Sequence, residues 1–85
     1  MTNILINTHT LSETIFNSDA ELHKEIVDHS KYVTSMESVF KWTDGNLYLV
    51  KYQWTDNDGV MFEAENDMVE CEQVVATSGT EYKKV

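Results

Sequence analysis

Two hydrophobic periods divide this chain. From residue 38 onward, apolar and polar positions alternate with period two in SVFKW, NLYLVKYQW, GVMFEAE, MVECEQVVA and TEYKKV. Alternation in segments rich in aromatic and β-branched residues predicts strands. Their connectors are Asp44-Gly45, Asp56-Asn57-Asp58-Gly59, Asn66-Asp67 and Ser78-Gly79. These residues tolerate positive φ or hydrogen-bond their own backbone, which is turn chemistry. Short connectors make neighbours antiparallel, so the strands form a meander. Phe40, Trp42, Tyr48, Val50, Tyr52 and Trp54 are the large residues expected to face a helix.

Before residue 38 the pattern differs. Ile4 and Ile6 suit a short strand. Thr10-Leu11-Ser12-Glu13 has capping-box spacing, and Leu11 and Ile15 lie four apart, which predicts a helical turn or two. Ser18-Asp19-Ala20-Glu21 repeats the box. Leu22, Ile26, His29 and Val33 then recur at helical spacing, predicting a helix over about 19–32. There is no proline, linker or low-complexity tract, so residues 1–85 read as one domain. The expected fold is α+β, a four- to five-stranded antiparallel meander sheet packed by one or two helices.

Size and composition set limits on this picture. A chain of 85 residues buries only ~60–65% of its unfolded surface, enough for one modest core. Hydrophobic content of 41% supports a globular fold. No apolar run reaches ~18 residues, and MTNILINTHT lacks the basic start and apolar stretch of a signal peptide. The single Cys71 has no internal partner for a disulfide. Together these predict a cytoplasmic protein (in the host cytoplasm if viral) that does not engage membranes.

Charge changes the picture most. Six lysines and no arginine stand against fifteen acids, for a net charge of −9. Such a chain repels nucleic acid and anionic membranes, both of which are held through cationic side chains. Its natural complement is a basic protein. Residues 53–75 carry seven acids and no base, so most of the charge sits in one segment.

That segment contains VMFEAENDMVECEQ. A two-residue turn at Asn66-Asp67 would set residue 65 opposite 68, 63 opposite 70 and 61 opposite 72. Phe62, Ala64, Val69 and Cys71 would share a core face. Met61, Glu63, Glu65, Met68, Glu70 and Glu72 would share the other, with glutamates facing glutamates. Successive acids would lie roughly 6.6–6.8 Å apart, similar in scale to a nucleic-acid backbone. Opposed like charges cost about a few tenths of a kcal/mol per solvated pair. A docking face for a lysine- and arginine-lined groove explains their retention, with Met61 and Met68 as adaptable apolar contacts. The plainer reading is a solvated face whose charges discourage edge aggregation.

Leu49-Val50, Thr55-Asp56, Val60-Met61 and the terminal QVVATSGTEYKKV resemble, in pattern, the small acidic DNA-mimic inhibitors encoded by phages, including the uracil-DNA glycosylase inhibitor family. The resemblance implies helices against a five-stranded antiparallel sheet, and a basic DNA-binding enzyme as partner. In that family a Glu-Ser-Ile segment presents its glutamate to the enzyme's DNA groove. Glu37-Ser38-Val39 is similar, and the resemblance implies the same role for Glu37. The family sets a helix after this strand, whereas here seven residues separate Val39 from Leu47.

Other chemistry is weakly signalled. Asp56-Asn57-Asp58-Gly59 invites a calcium loop, but its first position would be Trp54, which cannot ligate. His23 and His29 lie six apart, off the spacing that converges on one helix face. Cys71 among acids is a poor thiolate. No glycine-rich phosphate loop appears. The expectation is a non-enzyme without metal or cofactor, and Glu37, Asp56, Asp58, Met61, Glu63, Glu65, Asp67, Met68, Glu70 and Glu72 are its candidate partner-binding residues. The partner is a basic nucleic-acid-binding protein of a host or defence system, with no direct nucleic acid. A homodimer is compatible with this reading. The alternatives are an accessory subunit with a mainly apolar interface and, more weakly, a small metal-binding module.

Overall fold

The computed structural model describes residues 3–16, 19–57, 59–77 and 81–84. Its elements are β1 (Asn3–Asn7), α1 (Thr8–Phe16), β2 (Glu21–His29), β3 (Val33–Lys41), β4 (Leu47–Thr55), β5 (Gly59–Phe62), β6 (Ala64–Glu65), β7 (Met68–Ala76) and β8 (Tyr82–Lys84). All eight strands join one sheet with the main path β1-β7-β4-β3-β2; β5 pairs with β4, and β6 and β8 pair with β7. Every pairing is antiparallel. The α+β class and the antiparallel sheet match expectation. The count of four to five strands does not, because β1 joins the sheet, β2 replaces a helix and GVMFEAE breaks at Glu63 into β5 and β6.

The helix expected over about 19–32 is a strand along Glu21–His29. It pairs with β3 from Glu21↔Phe40 to His29↔Thr34, with irregularities between Glu21 and His23 and between Ile26 and Asp28. A bulge inserts one residue and resets the alternation. Two bulges flanking Ile26 therefore leave apolar spacings near four, which imitate a helix. Ser18, the expected cap, lies outside the described residues.

The true helix is α1, and its cap is not Thr10. The Asn7 side chain accepts from the His9 amide at 2.9 Å, satisfying a first-turn donor that the helix itself cannot. Thr10 lies inside the first turns, where its carbonyl accepts from the Thr14 hydroxyl at 2.8 Å. The Thr8 amide donates to the Asp67 carbonyl at 2.9 Å, so the helix start is tied to the 66–67 turn. Leu11 and Ile15, one turn apart, are both buried.

These two side chains close the inner face of the sheet. They pack with Ile6, Phe40, Tyr48, Val50, Tyr52, Val69 and Cys71. Alternation selects this set: Tyr48, Val50 and Tyr52 point inward from β4 while Lys51 and Gln53 point out. Trp42 joins the rim, but Trp54 is 49% exposed, because it stands beyond the reach of the short helix. Ser38 is fully buried and carries a polar rivet. Its hydroxyl lies 2.8 Å from the Glu21 carboxylate, to which it donates, and 3.0 Å from the Tyr52 hydroxyl. Strands β2, β3 and β4 are thereby pinned together, and burial of the polar group is compensated.

The outer face is only partly covered. Val39 opposite Leu49 and Leu47 opposite Val74 form a small apolar patch, with Val39 and Val74 buried. The rings of His23 and Tyr82 meet with centroids 5.6 Å apart. The rest of this face, towards β5 and β6, is open.

Candidate functional site

The Asn66-Asp67 turn forms as expected. Both residues are left-handed, at φ 54° and 63°, matching the twist a two-residue hairpin turn requires. Glu65 opposes Met68 and Ala64 opposes Val69. The expected register ends there. Strand β5 turns away to pair with β4, placing Met61 opposite Gln53 and Phe62 opposite Tyr52. Glu63 lies at the break between β5 and β6, and neither 63 opposite 70 nor 61 opposite 72 is formed.

The glutamates of β7 therefore meet other partners. Glu70 opposes Leu5 of β1, and Asn3 donates to its carboxylate at 2.9 Å. Glu72 sits between Asn3 and Leu49, and Lys84 pairs with it at 3.0 Å. The opposition of like charges occurs elsewhere, at Glu25 and Glu37 on β2 and β3. Lys51, opposite Glu37 on its other side, lies 3.9 Å from that carboxylate. Exposed pairs at such distances contribute only tenths of a kcal/mol, about ~0.2–1.

Two adjoining grooves gather most of the candidates on the outer face. The first, of about 350 Å³, runs over Ser35, Glu37, Lys51, Gln53, Met61 and Glu63, with Val27 at its edge. The second, of about 550 Å³, lies beside β6, where β5 leaves β7 to pair with β4. Its apolar floor is Leu5 and Met68, and Glu63, Glu65 and Glu70 surround it. Glu63 and Phe62 belong to both grooves. Among the described residues, Glu37, Glu63, Glu65, Glu70 and the Lys51 ammonium thus border the depression formed by these two adjoining grooves, with Met61 and Met68 in it.

The remaining candidates stand apart. Asp56 is exposed in the β4–β5 turn, and Asp58 lies outside the described residues. Asp67 is exposed on its turn and borders neither groove. Ala64, expected on the core face, is exposed. Leu5, Glu25, Lys51 and Gln53 were not singled out from the sequence. Lys51 was accessible to that reading: a hairpin centred on Asp44 pairs residues summing to 88, which joins 37 to 51. Glu25 was not, since its segment imitates a helix.

That β3–β4 turn is held by its own chemistry. Gly45 takes φ 85°, and Asp44 accepts from the Tyr48 hydroxyl at 2.7 Å and from the Asn46 amide at 2.9 Å. These bonds hold the Asp44 carboxyl below its usual range, the Tyr48 bond foremost, and push the Tyr48 phenol up.

Among the described residues no group of three His, Cys, Asp or Glu is placed to hold a metal. Nor is any helix there long and apolar enough to cross a membrane. Cys71 is fully buried, and burial first, then the Glu70 charge, pushes its thiol up to about 12. At neutral pH the native chain should therefore resist iodoacetamide, while the denaturant-unfolded chain is labelled; rapid native labelling, read by mass spectrometry, would contradict this placement. The same shift makes the native state lose stability as pH rises from the ordinary thiol value of 9.0 towards about 12.

Comparison with protein-family models, curated proteins and solved structures finds no match.

Proposed function

We propose that this chain is a non-catalytic acidic binding protein, a nucleic-acid mimic of the phage type. In this reading it occupies the basic nucleic-acid-binding site of a host or defence protein and inhibits it. The supporting observation is the outer depression, where Glu37, Glu63, Glu65 and Glu70 surround Met61 and Met68 and, among the described residues, Lys51 is the only bordering base. A lysine- or arginine-lined surface complements such a field, and the methionines adapt to its apolar stems. Acid–base catalysis has less support, since these carboxylates stand in open grooves rather than an enclosed cavity.

A pull-down from bacterial lysate followed by affinity measurements across salt concentrations tests the proposal. Partner affinity should fall steeply as salt rises through the physiological range, because screening removes the attraction between exposed charges. The isolated protein should give no gel shift with DNA or RNA at net charge −9. A shift with the protein alone contradicts the mimic.

The second reading is an accessory subunit with a mainly apolar interface. It is favoured by exposed Leu22 (50%), Ile26 (62%) and Tyr32 (63%), which lie on and beside β2 and line neither groove. An affinity flat from low to high salt supports it over the mimic.

A further inference from the structure

Strand β2 ends the sheet, and among the described residues it pairs with β3 alone. In an antiparallel strand every second residue turns its N–H and C=O away from the neighbour, so this edge presents unpaired donors and acceptors. The irregularities near Leu22 and Val27 leave His23–Ile26 as a regular stretch. Its two sides differ in chemistry. Glu25 points to the outer face beside Glu37, and Asp28 follows on that face opposite Ser35. Lys24 and Ile26 point to the inner face opposite Ser38 and Met36, where the Lys24 ammonium covers the Phe16 ring at 5.4 Å.

We propose that the β2 edge takes up an extended segment of a partner protein as an added strand, with lysine or arginine alternating with aliphatic residues. The cations of such a segment fall on the outer face beside Glu25, Glu37 and Asp28. Its aliphatic residues fall on the inner side, beside Ile26 and the Lys24 stem. Backbone hydrogen bonds supply affinity and the alternating faces supply selectivity.

A second copy fits the edge poorly. A two-fold register centred on Lys24 or Glu25 sets that residue against its own charge, and one centred on Ile26 sets bulged Val27 against Glu25. Each chain also carries a net charge of −9.

The test uses the full chain and a fluorescent, end-capped peptide alternating lysine with valine, followed by anisotropy. The peptide should bind, and replacing its central valine by proline should weaken binding about tenfold at unchanged charge, through the lost donor and the distorted strand. Glu25→Lys should weaken it by a similar factor of about ten. The double variant Glu65→Gln and Glu70→Gln should leave it within about twofold, since both carboxylates line only the second groove whereas Val27 and Glu37 line the first; failure here is thereby separable from failure of the mimic. The proposal is overturned if the peptide does not bind, or if the proline peptide binds equally well. It is also overturned if sedimentation shows a dimer that Ile26→Lys dissolves, because a second copy then fills the edge.

Discussion

Leu11→Ala is expected to destabilise the fold by ~2–5 kcal/mol, the range for emptying a fully buried leucine site. Leu11 is completely excluded from solvent and is one of only two buried anchors on α1. A domain of this size has roughly 5–15 kcal/mol in total, so the variant loses a large share of it. The melting temperature should fall by roughly 8–40 °C. His9→Ala, at an exposed position of the same helix, should stay within about 0.5 kcal/mol. Thermal melts of both variants decide the matter. A Leu11→Ala melt equal to that of His9→Ala would mean that α1 does not close the inner face.

What was legible in the sequence follows from how locally each feature is encoded. The β3–β4 hairpin was readable because Asp44-Gly45 and strict alternation agree, and neither needs information from elsewhere in the chain. The inward set Phe40, Tyr48, Val50 and Tyr52 follows from the same alternation. Strand β2 was not readable, since its bulges break the period that identifies strands. Nor was the register beyond Glu65, because it is decided by competition. Strand β4 captures residues 59–62, and its own Leu49 takes the place opposite Glu72 where Met61 was expected. The pairing of β1 with β7 spans almost the whole sequence and leaves no local signal. The acidic face itself was legible, since outward positions follow from alternation alone. How its charges are balanced was not: Asn3 and Lys84 reach Glu70 and Glu72 from opposite ends of the chain.

This rearrangement makes the acidic candidates unequal, and a set of glutamine variants should rank them. Among the described residues, Glu63 lines both grooves and has no strand partner, while Glu70 lines the second and takes a neutral bond from Asn3. Replacing both by glutamine removes two charges but keeps size and an acceptor for Asn3. Stability should change by no more than a few tenths of a kcal/mol. Affinity for the captured partner should fall by about tenfold or more, with a shallower salt dependence, because charge at a complementary interface contributes both steering and contact energy. Glu72→Gln should cost less affinity, since Lys84 already neutralises that carboxylate at 3.0 Å. Asp56→Asn, on a turn outside the grooves, should cost least. Glu21→Gln is the opposite control. That carboxylate accepts from buried Ser38, so the change should lower the melting temperature and spare the partner. Equal losses from the Glu63, Glu72 and Asp56 variants would mean that the partner senses net charge rather than this face. No loss from the Glu63 and Glu70 pair would mean that the depression is a solvated surface and the mimic proposal is wrong.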